Sequence, residues 1–282
     1  MHMPIFQKIQ LDISISIEHL VNAFGDVLGF VFLQDNHQPV IGIYPKLYWS
    51  AQIQDSNCYI RLPDFNYTND EQPLHLTFDG KNNNKNGFSG GYISFISYDY
   101  ASIAHQHTHQ NYSAPSFLIG EYDIFFKKEN LNWVLYIDEK ISETLIVQKI
   151  INQVQNLESY KSQDQCKFKT AFQPRWSKSE YKNAFTKVQN YLYAGDCYQI
   201  NLTQEFSTKI QYGKLLSLLP ELQNLTQAPY AGYIAFKDFE LLSCSPELFI
   251  EFDTDRLLKT RPIKGTLPRG VTSSEDEKLK QQ

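Results

Sequence analysis

Short apolar segments with a period of two dominate the first sixty residues of this chain. Residues 9–15 alternate apolar and polar side chains, and apolar runs follow at 27–33, 40–44 and 47–53. Proline and asparagine residues separate these runs. Because successive side chains of a strand point to opposite faces, this pattern predicts an antiparallel sheet.

The middle of the chain continues with strand-like runs and then changes period. A strand is predicted at 90–100, and a hairpin is predicted from the runs at 116–126 and 133–137. At 142–159 apolar residues recur every three or four positions, which predicts an amphipathic helix. The polar segment at 161–169 is interpreted as a linker between two regions.

The clearest local signal is a helix that begins near Ser177 and ends near Gly195. Ser177 and Glu180 have the spacing of a capping box, in which the two side chains accept hydrogen bonds from free amides. An apolar stripe from Tyr181 to Leu192 follows at helical spacing. Glycine is a typical residue just after a helix C-terminus, which fits Gly195.

A strand is predicted directly after this helix, at 198–203. Tyr198 and Ile200 alternate with Gln199 and Asn201, so one face would be apolar and the other would carry amides. Amides suit a ligand that bears carboxylates, which makes Gln199 and Asn201 candidate substrate-binding residues. An edge strand with a solvated polar face is the alternative.

Three extended segments near the end of the chain carry the candidate chemistry. Strands are predicted at 240–244 and 248–252, followed by a polar turn and an extended segment at 257–263. Glu247 lies at the first junction, and Lys264 follows the third segment. An amine kept neutral by burial is a nucleophile, and a carboxyl group kept protonated is a general acid. The alternative is an ordinary hairpin with solvated side chains.

Composition favours an intracellular globular protein. The 282 residues are 42% apolar, which is ample for a buried core, and a net charge of −5 gives no basic field for nucleic acid. The four cysteines lack a CxxC pair, so reduced thiols and a cytoplasmic location are expected. Neither a signal peptide nor an apolar stretch of about 20 residues occurs, so no membrane span is expected. His105, His107 and His109 alternate among polar residues, which favours a solvated loop over a metal site.

Three sequence blocks together resemble one enzyme family. The first joins S-P-E at 245–247 to T-R-P-I-K-G-T-L-P-R at 260–269, the second is G-D-C-Y-Q-I-N-L-T-Q-E-F at 195–206, and a looser third is G-G-Y-I-S-F-I-S-Y-D-Y at 90–100. The chain resembles the chorismate-utilising enzymes and, within them, the para-aminobenzoate branch, aminodeoxychorismate synthase component I. Anthranilate synthases carry Ala at the position of Lys264 and lack the Asn-Leu pair found here at Asn201.

The resemblance implies a fold and a division of the chain. It implies an α+β fold of packed antiparallel β-sheets flanked by helices, like that of anthranilate synthase component I. Residues 1–160 would form the N-terminal region, and residues 170–282 would form an incomplete chorismate-binding catalytic domain.

The resemblance also implies a reaction, in which chorismate and ammonia give 4-amino-4-deoxychorismate for para-aminobenzoate and folate biosynthesis. Lys264 would attack ring carbon C2 while the C4 hydroxyl leaves with a proton from Glu247. Ammonia would then add at C4 and expel the lysine. Gly265 and Thr266 would contact substrate carboxylates.

A regulatory tryptophan pocket is a further implication. Its residues here would be Asp35, at the end of the second apolar run, and Pro229, Tyr230 and Ala231. Asp35 stands where the family has a small hydroxyl residue, and the neighbouring arginine is missing. This departure weakens the expectation of tryptophan binding.

Several parts of the family pattern do not occur in these 282 residues. They are a D-L-x-R-N-D segment, a G-x-x-T-G-A-P-K loop and the glutamates that hold Mg²⁺, so magnesium ligands are expected beyond residue 282 and none within this chain. Ammonia would come from a glutamine amidotransferase subunit, component II, in a heterodimer. The chain alone is expected to be inactive, with an open sheet edge and exposed apolar surface.

Two other functions remain open. The chain would be a non-catalytic remnant that binds a partner subunit or an aromatic ligand, or it would be an anthranilate synthase component I. Lys264 and Asn201 weaken the second of these.

Overall fold

A computed structural model describes most of the chain, in the residue ranges 5–35, 38–52, 56–61, 67–70, 87–98, 100, 114–162, 164–253, 255–263 and 268–280. Its strands, in chain order, are Phe6–Gln10 (β1), Val31–Asp35 (β2), Gln38–Gly42 (β3), Leu47–Ala51 (β4), Ser56–Arg61 (β5), Tyr67–Asp70 (β6), Gly91–Ile96 (β7), Phe117–Tyr122 (β8), Ile124–Glu129 (β9) and Asn132–Asp138 (β10). They continue with Lys167–Phe168 (β11), Gln173–Pro174 (β12), Phe206–Ser207 (β13), Ile210–Tyr212 (β14), Tyr230–Phe236 (β15), Phe239–Ser245 (β16), Leu248–Phe252 (β17) and Leu258–Arg261 (β18).

The α-helices whose bounds the structure gives are Ile17–Phe24 (α1), Leu145–Gln155 (α2), Lys178–Ala194 (α3), Leu219–Thr226 (α4) and Ser273–Lys280 (α5). Short 3₁₀ turns lie at Glu139–Ile141, Leu157–Ser159 and Leu215–Leu218. In the part of the chain that the structure covers, no helix is long and apolar enough to cross a membrane.

Two antiparallel sheets organise these elements. The larger sheet has the strand order β1-β10-β9-β3-β2-β15-β16, and the smaller has the order β6-β5-β4-β8-β7. Three further pairs, β11-β14, β12-β13 and β17-β18, are two-stranded. The α+β class with several antiparallel sheets is therefore confirmed.

One face of the seven-stranded sheet holds the main core. Phe32, Ile41 and Phe126 lie opposite one another on three neighbouring strands and are fully buried. Helices α1 and α2 cover this row with residues such as Phe24 and Ile146. Burying a side chain of this size contributes roughly 1.5–3 kcal/mol, so these two helices hold the sheet in place.

The opposite face of the large sheet contacts the five-stranded sheet. Val31 and Ile234 of the large sheet form a second apolar cluster with Tyr48 and Leu118 of the smaller one. The Tyr48 hydroxyl also donates a hydrogen bond to the backbone carbonyl of Ala235. The two sheets are thereby joined by both apolar and polar contacts.

The chain crosses between the two sheets at Tyr44 and at Asp123, and Arg61 binds both crossings. Its guanidinium donates to the Tyr44 carbonyl at 2.5 Å and to the two carboxylate oxygens of Asp123 at 2.8 and 2.6 Å. The side chains of Arg61 and Asp123 are only 7% and 17% exposed. One guanidinium nitrogen is shared by both carboxylate oxygens and another binds the Tyr44 carbonyl, and a charged group removed from water in this way fixes the geometry of both crossings.

Two predictions about the first half of the chain were wrong. The run at 116–126 is two strands, because the chain leaves β8 at Asp123 and enters β9 in the other sheet. Apolar residues on both sides of the crossing concealed this change of sheet. Helix α1 was missed, although Leu20, Val21 and Phe24 have helical spacing and are buried.

The two predicted helices are confirmed. Helix α3 begins with the capping box, since the Ser177 amide donates to Glu180 Oε2 at 2.8 Å and the Glu180 amide donates to Ser177 Oγ at 3.3 Å. It ends at Gly195, whose φ of 80° lies in the left-handed region that favours glycine. Helix α2 falls within the predicted 142–159.

Strands from both predicted regions share the large sheet. Strand β15 pairs with β2, with Gly232 opposite Leu33, and β16 pairs with β15. The division into residues 1–160 and 170–282 stays a prediction.

Residues after about 170 leave much apolar surface uncovered by the described residues. No residue of α3 is buried, although it carries an apolar stripe. Large side chains that are at least half exposed include Tyr193, Tyr198, Phe249, Phe252, Leu258 and Val271. This is the exposed apolar surface that the resemblance leads us to expect.

The Arg61 contacts make a testable prediction about stability. Replacing Arg61 by Met keeps most of the side-chain volume but leaves Asp123 buried without its cation, which we expect to cost about 3 kcal/mol in the free energy of unfolding. Urea denaturation measures this cost.

The matched control is Lys46→Met, which breaks the exposed pair of Lys46 and Glu121 at 3.4 Å. An exposed pair contributes less than about 1 kcal/mol. Equal losses from the two substitutions would show that Arg61 does not hold the sheet crossings.

Candidate active site

The candidate site lies where β16 leaves the large sheet. Strand β16 ends at Ser245, Pro246 follows, and β17 begins at Leu248. Strand β18 returns antiparallel to β17, with Leu248 opposite Arg261. The three extended segments predicted from the sequence are therefore confirmed.

Glu247 connects the two halves of the first sequence block. Its Oε1 atom accepts a hydrogen bond from the backbone amide of Ile263 at 3.1 Å. Ile263 immediately precedes Lys264 in the sequence. Lys264, Gly265 and Thr266 lie outside the described residues.

The surround of Glu247 differs from the sequence-based expectation. Burial was expected to set the proton affinity of the site, but Glu247 and Ile263 are both exposed among the described residues. The flanking apolar side chains of Phe249 and Ile250 also face solvent, 84% and 49% exposed. The described residues alone therefore do not supply an apolar pocket.

The prediction for the segment of Gln199 and Asn201 was wrong. Residues 198–203 form no strand, and Tyr198, expected on a buried face, is 97% exposed. Residues can alternate in polarity without pairing, and the nearest strand, β13, is only two residues long. Both amide residues are exposed, and none of the described hydrogen bonds joins either of them to Glu247.

The residues of the predicted tryptophan pocket converge at one end of the large sheet. Asp35 is the last residue of β2, and Tyr230 is the first of β15, its neighbour in the sheet. Pro229 precedes Tyr230, and Ala231 is buried opposite Cys244. The pocket and tryptophan binding both stay predictions.

Two polar groups at this end of the sheet have unusual surroundings. Partial burial and the nearby Glu251 carboxylate raise the pKa of Asp35 above its ordinary value, and the Lys127 ammonium opposes this shift. The Tyr230 hydroxyl is buried, and it has no hydrogen-bond partner among the described residues.

No metal site was expected from the residues of this chain. Within the described ranges, no group of three His, Cys, Asp or Glu side chains is placed to hold a metal ion. His105, His107 and His109 lie outside those ranges.

Sequence reasoning missed the contribution of Ser245. Its hydroxyl accepts a hydrogen bond from the Glu247 amide at 3.3 Å and donates one to the Glu247 carbonyl at 3.2 Å. A serine two residues before a candidate acid is a known turn-forming arrangement, which was the available signal.

The fold is that of anthranilate synthase component I. The solved structure of that protein from Streptococcus pneumoniae TIGR4 superposes with a TM-score of 0.55 at 16% sequence identity, covering 76% of this chain and 51% of the other. The chain belongs to the chorismate binding enzyme family, whose sequence model matches residues 33–282.

Curated relatives agree with this assignment. The chain is 31% identical over 199 residues to aminodeoxychorismate synthase component 1 of Escherichia coli K12, a match covering 68% of this chain and 41% of that protein. The Bacillus subtilis protein of the same name is 30% identical over 213 residues, covering 68% and 43%. Anthranilate synthase component 1 of Pseudomonas aeruginosa is 32% identical over 111 residues, covering 39% and 22%. The chain thus spans about two fifths of the length of the first two relatives.

The hairpin next to Glu247 has a turn that depends on one carboxylate. Asp253 Oδ1 accepts hydrogen bonds from the amides of Asp255 and Leu257, both at 2.9 Å. The Leu257 bond, together with Lys259, holds the pKa of Asp253 below its ordinary 3.8. This contribution is present above pH 3.8 and is lost as the pH falls through the lowered pKa.

We therefore expect the Leu257 amide to lose hydrogen-exchange protection, after correction for intrinsic rates, as the pH falls below 3.8. Asp253→Asn keeps an acceptor oxygen and should abolish this pH response, and Asp253→Ala should lose the protection at every pH. A response that persists in Asp253→Asn would assign it to another group.

Proposed function

We propose that this protein takes part in the amination of chorismate, in which chorismate and ammonia give 4-amino-4-deoxychorismate and water. Para-aminobenzoate and folate biosynthesis is the proposed pathway. The E. coli and B. subtilis relatives support the proposal by their names. Lys264 supports it as well, because the resemblance expects Ala at that position in anthranilate synthases.

The observation that carries the proposal is the hydrogen bond between Glu247 and Ile263. It brings the proposed acid of the S-P-E turn to the residue next to the proposed nucleophile, Lys264. Ile263 lies sixteen positions after Glu247, on the other side of the hairpin.

The proposed chemistry proceeds in two balanced steps. The neutral Lys264 amine bonds to C2 of chorismate, both ring double bonds shift toward C4, and the C4 hydroxyl leaves as water with a proton from Glu247. Ammonia then bonds to C4, both double bonds shift back, and the lysine leaves C2 as a neutral amine. The new ammonium group at C4 returns a proton to Glu247, which is ready for the next turnover. Hydroxide is a poor leaving group, and protonation by a placed acid accelerates such a step by about 10²–10⁴.

Substrate binding is assigned to four further residues in this proposal. Gly265 and Thr266 follow the nucleophile, and a backbone amide and a hydroxyl there would bind carboxylates. Gln199 and Asn201 keep a role only if their exposed segment reorganises around substrate.

Additional polypeptide is part of the proposal. Glu247 is exposed among the described residues, whereas a lysine nucleophile needs a surround that keeps it neutral. The chain spans 41% of the E. coli relative, so the remaining length of such a protein is available to cover the site. We propose that residues 1–282 alone do not turn over chorismate.

The proposed partner is a glutamine amidotransferase, component II, which would supply ammonia. The name "component 1" of the relatives is consistent with a second component. Among the described residues, no group of three His, Cys, Asp or Glu side chains is placed to hold Mg²⁺, so we derive no step through the ion. That its ligands lie outside residues 1–282 is a proposal that rests on the family resemblance. Tryptophan, at the end of the sheet near Asp35 and Tyr230, is a proposed regulatory ligand.

A fusion enzyme tests the proposal. Residues 1–282 are joined to the part of E. coli aminodeoxychorismate synthase component 1 that follows the matched region, and product formation from chorismate and ammonium is measured. We expect 4-amino-4-deoxychorismate from the fusion and no product from residues 1–282 alone. Anthranilate as the product would contradict the branch assignment.

Substitutions in the fusion test the two roles. Lys264→Ala should lower turnover by about three orders of magnitude or more, because the covalent step is lost. Glu247→Gln should lower it by about 10²–10⁴, because the leaving hydroxyl is no longer protonated. Lys259→Ala, which removes an exposed lysine paired with Glu251 at 2.9 Å, is the control and should leave turnover unchanged. Full activity of Lys264→Ala would refute the nucleophile.

A further inference from the structure

The Ser-Pro-Glu turn connects the end of a strand in the large sheet to an irregular two-stranded hairpin. Ser245 is the last residue of β16, and its backbone lies opposite Tyr230 in the large sheet. The ring of Pro246 fixes φ at about −65°, and its nitrogen carries no hydrogen, so this residue donates no hydrogen bond to a neighbouring strand. On its N-terminal side, Glu247 is therefore held mainly by contacts with its immediate neighbours in the sequence.

The hairpin beyond Glu247 holds it mainly through one pair, Leu248 opposite Arg261. The register of β17 against β18 shifts between Leu248 and Glu251, where three steps on one strand match two on the other. Such a bulge leaves one residue unpaired and bends the strand. The Leu248–Arg261 pair therefore sets the register next to Glu247, while the bulge beyond it weakens the support that the rest of the ladder gives to this pair.

Side-chain hydrogen bonds add to this alignment. The Ser245 hydroxyl contacts both the amide and the carbonyl of Glu247, at 3.3 and 3.2 Å. On the far side, Thr260 Oγ1 donates to the Leu248 carbonyl at 3.3 Å. Between them, the Glu247 carboxylate accepts from the Ile263 amide at 3.1 Å.

We propose that Ser245 is a positioning residue, whose hydroxyl holds the backbone of Glu247 so that its carboxylate stays on the Ile263 amide. The inference rests on the proposed function, since it matters for turnover only if Glu247 and Lys264 act together. It adds a residue to the site that itself touches no reacting atom. Its effect passes through Glu247.

The consequence of losing this hydroxyl extends across the hairpin. Without it, the Glu247 backbone regains freedom on the side where Pro246 gives no ladder bond. The exposed carboxylate then binds water in place of the Ile263 amide, because a solvated hydrogen bond contributes only about 1 kcal/mol to stability. If the Ser245 hydroxyl acted only within its own turn, its loss would instead affect Glu247 and leave hydrogen exchange of the Ile263 amide unchanged.

Amide hydrogen exchange on residues 1–282 separates these two cases. We expect Ser245→Ala to speed exchange of the Ile263 amide by about tenfold, which is the loss of one such bond. Ser245→Thr keeps the hydroxyl and should restore the wild-type rate. Ser243→Ala is the matched control, the same change two residues earlier on β16, and should have no effect.

An unchanged Ile263 rate in Ser245→Ala would overturn the inference, as would equal acceleration in Ser243→Ala. Glu247→Ala gives an independent check, because removing the carboxylate should speed Ile263 exchange at least as much as Ser245→Ala does. If Glu247→Ala leaves the Ile263 rate unchanged, the proposed linkage does not exist.

The fusion enzyme adds a kinetic readout. Ser245→Ala should lower kcat by about tenfold with KM unchanged, since positioning of the acid affects the chemical step and not substrate binding. Ser245→Thr should restore kcat. An unchanged kcat beside faster Ile263 exchange would overturn the catalytic part of the inference. Failure of the proposed function is seen separately, as wild-type turnover in Lys264→Ala.

Discussion

The buried contact of Arg61 with Asp123 and the Tyr44 carbonyl is the constraint on which the rest of the structure depends. The chain changes sheets at Tyr44 and again at Asp123, and a single guanidinium binds both points. With the crossings fixed, β2 lies beside β15, and β15 lies beside β16. Strand β16 in turn delivers Ser245 and Glu247 to the candidate site.

Rigid and weakly held parts of the chain meet at that site. The sheet behind Ser245 is covered by α1 and α2 and is well packed, whereas the β17-β18 hairpin is two-stranded and exposed. An isolated two-stranded hairpin is marginally stable in water. Glu247 lies at the boundary, where side chains of Ser245 and Thr260 bond to the backbone of Glu247 and Leu248.

The sequence predicted the structure correctly where residues close together in the sequence determine it. The capping box at Ser177, the glycine at 195 and the strands around Glu247 all follow from residues within a few positions of one another. The change of sheet at Asp123 could not be read in this way, because it depends on Arg61, far away in sequence. The strand predicted around Gln199 and Asn201 was wrong for the same reason, because alternating polarity gives a strand only where a partner strand is present. The candidate acid and nucleophile came from the family resemblance, and the structure adds the contact between Glu247 and Ile263.

The central claim is that Lys264 bonds to chorismate with Glu247 beside it as the acid. Mass spectrometry of the fusion enzyme, incubated with chorismate without ammonia and digested, tests this most directly. The account predicts a peptide containing Lys264 whose mass increases by that of chorismate less one water, and predicts its loss in Lys264→Ala. Normal turnover with no adduct on Lys264, or an adduct on a different lysine, would contradict it.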